Sequence, residues 1–255
     1  LTYVPVHSRA GSLAAIDAAL KEIAETARGM SPAEDITPAA PNAEGAVTKL
    51  LARGGGVQIK IEVTPVLRGC VYEPETRTVT EGVEEMFGFA EMPVVSFADI
   101  YGGKIVAALD RQHPRDLFDM RDLLANEGLD EKLRRAFIVY LLSHDRPMHE
   151  VIAARPKNIT REYERGFAGM TANPVPLTDL EAARTQTVEA VIDNMPDAHR
   201  AFLIGFEKGE PDWTLLGLDN AAALPAVRWR QQNLDRLDTK ARQELVENLK
   251  RALGL

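Results

Sequence analysis

Val95-Ser96-Phe97-Ala98-Asp99-Ile100-Tyr101-Gly102-Gly103-Lys104-Ile105 is the stretch on which the reading of this chain turns. Ser96 followed by Asp99 has the spacing of a capping box, with Asp standing in place of Glu, and predicts a helix opening there and running to about Gln112. Phe97, Ile100, Lys104, Ala107, Ala108 and Arg111 share one stripe of that helix, which sets Lys104 and Arg111 two turns apart with small alanines between them. The result is a cationic groove. A lysine in such a groove is paired or functional, whereas a lysine at its rim lies over the core with its charge in water and does nothing further. Gly102-Gly103 costs about 1 kcal/mol per glycine relative to alanine inside a helix, and points to a close approach just before Lys104, by a packed helix or by a ligand.

Immediately downstream, His113-Pro114 interrupts the helix, and proline at a first helical position suits a second one from Pro114 to about Asn126, closed by Gly128. Leu117, Met120, Leu123 and Leu124 mark its core face, and Asp116, Asp119 and Asp122 follow one another at intervals of three. Asp116 in the first turn is favoured by the helix dipole whatever else it does. The acids read either as a solvated face or, with Arg111 and Arg115 beside them, as a charged network that orients a phosphate-binding lysine. Farther on the pattern is helical over 129–144, about 147–154, 178–194, 197–208, 225–237 and 238–252, with 155–176 read as a long loop.

Upstream, two strand-like runs, Ala46 to Arg53 and Val57 to Val66, flank Gly54-Gly55-Gly56 and predict a hairpin. Along the second run Val57, Ile59, Ile61 and Val63 alternate with Gln58, Lys60, Glu62 and Thr64, so one face is expected in the core and the other is free. Lys60 and Glu62 on that free face are ordinary surface decoration or one part of a site, since carboxylates on a strand can hold magnesium against a triphosphate. Before the hairpin, Ser12 is expected to cap a helix carrying Leu13, Ile16, Leu20, Ile23 and Ala27, and residues 31–45 read as a loop. Leu1-Thr2-Tyr3-Val4-Pro5 looks like a strand end. Residues 67–92 are mixed, with a helical turn over Thr80 to Phe87, and Pro93-Val94-Val95 is a short strand.

Composition narrows the function classes. The 255 residues are 45% hydrophobic and 27% charged, ordinary for a folded domain, and 30 basic against 38 acidic side chains give a formal charge of -8. That balance argues against a dedicated nucleic-acid binder, which needs a basic face. Cys70 stands alone, so neither an internal disulfide nor a Cys-type zinc site can form, and a reducing cytoplasm is the expected location. The five histidines lack zinc spacing, no run is long and apolar enough to span a membrane, and the basic residues of the C-terminal helices alternate with acids as a solvated surface does. The expected fold class is α+β: a mixed part with a small sheet over residues 1–128, then an α-helical part over 129–255.

The quoted run, with Ala107-Ala108, Arg111 and Arg115-Asp116-Leu117-Phe118-Asp119-Met120 after it, resembles the AbiEii/AbiGii toxin family, nucleotidyltransferase-like proteins related in fold to DNA polymerase beta. Gln58-Ile59-Lys60-Ile61-Glu62-Val63-Thr64-Pro65 and the opening Leu1-Thr2-Tyr3-Val4-Pro5 are similar to family segments as well. The resemblance implies magnesium-dependent transfer of a nucleoside monophosphate from a nucleoside triphosphate to an acceptor, RNA and notably the tRNA 3′ end, and a cognate antitoxin as a partner. It implies Lys104 as the triphosphate-binding lysine, with Lys60, Arg111 and Arg115 as further nucleotide-binding cations. Asp116 and Asp119 fall in the downstream catalytic motif, and Glu62 takes the place of a third acid, as metal ligand or base, where two magnesium ions hold the attacking and leaving oxygens.

Such enzymes also carry a Gly-Ser turn and an Asp-x-Asp pair on a strand, a pattern absent from residues 1–255. The expectation is that this pair is encoded directly before Leu1, and that the 255-residue chain by itself is inactive or nearly so. A second reading, from a different class, is a non-catalytic module of the same descent in which the Lys104 groove holds a nucleotide or a partner protein. A third, a helical scaffold, rests on the C-terminal half alone.

Overall fold

The computed structural model describes residues 1–30, 35–63 and 69–255. They form two compact units, Leu1–Cys70 with Ala223–Ala226, and Val71–Ala222 with Val227–Leu255. The expected class holds: small sheets accompanied by many helices.

In the first unit, α1 (Arg9–Met30) packs on an antiparallel sheet of β1 (Asp35–Pro38), β2 (Lys49–Gly54) and β3 (Val57–Glu62), in the order β1-β2-β3. Ile16, Leu20 and Ala24 of the helix meet Ile36, Val47, Leu50 and Val63, with Ala52 and Ile61 at the edge of this core. The hairpin forms as expected, with Gly54 opposite Val57 as the last strand pair. Gly55 and Gly56 make the turn at φ +55° and +76°. Two left-handed residues match the twist of the flanking strands, and only glycine adopts that conformation freely.

Several expectations for this unit need correction. β1 lies within the segment read as a loop, because four residues ending in a proline carry too little alternation to announce a strand. Residues 31–34 and 64–68, which carry other parts of the reading, lie outside the described residues. The helix begins three residues before Ser12, and it is Ser8 Oγ that accepts the Gly11 N–H at 3.2 Å, which is what a capping side chain does. Ser12 is buried inside the helix. Leu1–Val4 is not a strand, although the Leu1 ammonium donates to the Glu62 carbonyl at 2.9 Å and the Gly69 N–H to the Tyr3 carbonyl at 2.8 Å. The apolar face of β3 is covered only at Ile61 and Val63; Val57 and Ile59, toward the turn, are 63% and 61% exposed.

The second unit opens with a strand pair, β4 (Glu75–Thr78) and β5 (Glu91–Val94), joined through the short helix α2 (Glu81–Phe87). β4 is unforeseen, its Glu-Thr-Arg-Thr being polar on both faces. Then come α3 (Phe97–Arg111), α4 (Pro114–Asn126), α5 (Glu131–Leu142), α6 (Met148–Ile152) and α7 (Thr160–Gly166). α7 corrects the long-loop reading of 155–176. The unit continues with α8 (Leu177–Val188), a π turn over Glu189–Asp193, α9 (Asp197–Lys208), α10 (Pro225–Asp235) and α11 (Thr239–Ala252). Ile105, Leu109, Leu117, Met120, Leu133 and Phe137 fill the core around α3, whose most extensive contact is with α5.

Gly102 and Gly103 owe their place to that contact. A Cβ on Gly102 would lie 3.0 Å from the backbone of Ala136 and Phe137, and one on Gly103 would lie 3.3 Å from the Tyr140 ring. The close approach is therefore a packed helix. No described helix is long and apolar enough to cross a membrane.

Candidate active site

The start of α3 is fixed by the predicted box. Ser96 Oγ accepts the Asp99 N–H at 3.0 Å and donates to Asp99 Oδ2 at 2.7 Å. Asp99 is buried, and its carboxylate also accepts the N–H groups of Val71 and Tyr72 at 2.7 and 3.1 Å and the Tyr140 hydroxyl at 3.3 Å. Four donors on one carboxylate leave it fully satisfied and tie the entry of α3 to the start of the unit. Asp99 is thus a structural clasp.

From that anchor, Phe97, Ile100, Lys104, Ala107 and Arg111 run along the solvent side of α3, while Ala98, Gly102, Ile105, Val106, Ala108 and Leu109 are buried. Lys104 Nζ lies 3.1 Å from Asp119 Oδ2 and 5.0 Å from the centre of the Tyr101 ring. A carboxylate and the face of a ring, both attractive to an ammonium, hold the lysine from two sides. One N–H serves Asp119, and two remain for an anion.

One and two turns farther, the helix ends on Gln112 at φ +53°, and His113 caps α4 by accepting the Arg115 N–H on Nδ1 at 3.2 Å. Gln112 is buried and bonded throughout, Nε2 to the Arg155 carbonyl at 2.9 Å and Oε1 to the Lys157 N–H and Arg184 Nε at 2.9 and 3.0 Å. These bonds fix the angle between α3 and α4, and so set Asp116 and Asp119 beside α3. Arg111 meets Asp116 through both Nη2 and Nε, at 2.7 and 3.1 Å, in a forked pair. Arg115 departs from the expected network: its Nε and Nη2 donate to the Gly166 carbonyl at 3.3 and 3.2 Å instead of to a carboxylate.

In the first unit Lys60 and Glu62 stand together, their charged atoms 3.1 Å apart, with Lys49 across the strand pair at 3.6 Å from the same carboxylate. The Lys60 hydrogen bond, aided by Lys49, holds the Glu62 carboxyl below its usual range. The structure therefore brings together Lys104 with Asp119, Arg111 with Asp116, and Lys60 with Glu62, the last pair in the first unit and the other two in the second. Sequence reasoning missed Tyr101 as a partner of Lys104, although its spacing three residues earlier on one helix was the available signal.

The family model described as "Nucleotidyl transferase AbiEii toxin, Type IV TA system" matches residues 1–233. The chain belongs to the AbiEii family. The AbiEii match spans the sheet unit and nearly all the helices, and the family is one of nucleotidyltransferase toxins of type IV toxin–antitoxin systems, which implies a cognate antitoxin and a nucleoside triphosphate substrate. Comparison with curated proteins and with solved structures finds no match to this AbiEii chain.

A divalent metal belongs to nucleotidyl transfer, and the donors for one can be weighed on the described residues. No three His, Cys, Asp or Glu side chains among them converge on a point, and Glu62 offers a single carboxylate already held by two ammonium groups. Magnesium takes about six oxygens in near-octahedral array, commonly one or two carboxylates plus phosphate and water. The carboxylates among the described residues do not make that set.

Proposed function

We propose that this AbiEii chain acts in the transfer of a nucleoside monophosphate from a nucleoside triphosphate to an acceptor hydroxyl, with RNA, notably the tRNA 3′ end, as the acceptor class. The observation that carries the reading is the Lys104 ammonium, held by Asp119 and Tyr101 at the exposed side of α3 with Arg111 two turns along the same face. In the transfer the acceptor oxygen forms a bond to the α-phosphorus, the bond to the bridging oxygen breaks, and pyrophosphate leaves with the electron pair. Charge grows on the leaving oxygens. An ammonium whose direction is set beforehand stabilises that charge without reorganising at the moment of reaction.

Asp119 positions the lysine, and Asp116 does the same for Arg111, which keeps Nη1 free for a phosphate oxygen. Arg115, turned to Gly166, completes the proposed set of nucleotide-binding cations of the second unit.

The decisive experiment is transfer of a radiolabelled nucleoside monophosphate to RNA by the full encoded protein. Lys104→Ala should lower the rate by a factor of about 100–1000 with an unchanged circular dichroism spectrum. Equal rates for variant and parent would remove Lys104 from the reaction. A second reading, a nucleotide-binding module without catalysis, is favoured by one observation: Glu62, Asp116 and Asp119 are each engaged by a cation of this chain. Nucleotide affinity that is the same with and without magnesium, and no transfer, would select it.

A further inference from the structure

Two large apolar side chains interrupt the otherwise orderly solvent side of α3. Phe97 and Ile100 are 39% and 38% exposed, on a helix whose remaining apolar positions are turned inward or are small. Phe97 lies against Tyr101, ring centres 4.4 Å apart and planes inclined by 34°, and Tyr101 in turn carries the Lys104 ammonium on its ring. A continuous strip results: two overlapping aromatic rings, then a cation, then Arg111 farther along. Burial alone does not account for Phe97, which keeps a large part of its apolar surface in water.

Their neighbour decides what would cover them. The ligand class that joins a flat, polarisable ring to a chain of negative charge is a nucleotide, and the strip presents the matching halves in the matching order. Phe97 and Lys104 are seven residues apart, about 10 Å along the axis, a span comparable with an extended nucleotide from base to terminal phosphate. Base-on-aromatic stacking is tolerant of base identity because every base has a π face.

We infer that Phe97, braced by the Tyr101 ring, is the stacking platform for the nucleobase of the nucleoside triphosphate whose phosphates Lys104 holds. The inference rests on the proposed role of Lys104 and adds the base subsite, which nothing in the family description assigns.

The test compares two ligands by calorimetric titration: a nucleoside triphosphate, which has both base and phosphates, and inorganic tripolyphosphate, which has phosphates alone. Phe97→Ala, and Phe97→Leu, which keeps an apolar side chain without a ring, should each weaken all four nucleoside triphosphates by about tenfold, the equivalent of one stacked base. Tripolyphosphate affinity should stay as in the parent. Tyr101→Phe should bind as the parent does. Lys104→Ala should weaken both ligands. Equal weakening of both ligands by Phe97→Leu, or of neither, overturns the platform while leaving the Lys104 reading in place. A loss confined to a single-stranded RNA oligonucleotide overturns it too, by assigning the rings to the acceptor. A parent that binds neither ligand fails the functional reading itself, and the platform with it.

Discussion

Asp99 and Asp116 lie one helix apart and do different work. Asp99 is buried and accepts from Val71, Tyr72, Ser96 and Tyr140, so Asp99→Asn, which removes the charge and turns a donor toward those N–H groups, should cost about 2–3 kcal/mol in urea denaturation. Asp116 is mostly covered and sits in the first turn of α4 under a forked Arg111; Asp116→Asn should cost about 1 kcal/mol, the usual worth of a favourable acid at a helix start. A cost for Asp116→Asn as large as that for Asp99→Asn would show the Arg111 pair to be a structural anchor. The contrast explains what the sequence disclosed at this scale. Ser96 and Asp99 are three residues apart and announce themselves as a cap. Val71 and Tyr72 donate to the same carboxylate from more than 25 residues upstream, and no local spacing signals that.

Among elements, α3 and α4 were legible nearly to the residue because each start is chemically marked, by Ser96 and by His113-Pro114, and α4 also stops at a marked glycine, Gly128 at φ +72°. β1, β4 and α7 were not, being four, four and seven residues long with too few turns of pattern to stand out. The candidate site divides the same way: the residues on α3 could be placed on one face from spacing, whereas the α5 backbone behind them could not be foreseen. Gly102→Ala tests how tight that packing is. The added methyl would stand 3.0 Å from the α5 backbone, which has no side-chain freedom to yield, so a loss of about 1–3 kcal/mol is expected in chemical denaturation. A neutral or stabilised Gly102→Ala would mean that α3 and α5 can separate, and that Gly102 is not needed for their contact.

At the scale of the molecule, stability should depend on pH through two histidines, His199, which is buried, and His149, which is half-buried. Burial lowers both His149 and His199 from the ordinary 6.5, against the raising influence of Glu150 on the first and Glu131 on the second, with Arg230, Arg251, Arg134 and Arg135 lowering them further. The unfolded chain takes up these protons first as pH falls, so stability is complete above about 6.5 and declines below it. Glu207 acts in the opposite sense: burial raises its carboxyl, so its penalty is present when it is ionised and is relieved as pH falls. Thermal melting between about pH 8 and pH 5 should show a falling midpoint, and His149→Gln with His199→Gln should flatten it; an unchanged slope in that double variant would place the proton uptake elsewhere.

Residues 223–226 belong to the first unit although both of their flanks belong to the second, and Leu224 is buried where Gly69, at φ +111°, leaves no room for a Cβ. During synthesis, then, the sheet and α1 leave the ribosome long before the piece that closes over Gly69. At about 5–20 residues per second the interval is roughly 10–30 s, far longer than a helix or hairpin needs to form. Until Leu224 arrives, the nascent first unit carries an apolar gap. Transiently exposed apolar surface is what chaperones and proteases act on, so a variant such as Leu224→Ala, which leaves the gap open, should yield less mature protein than the parent.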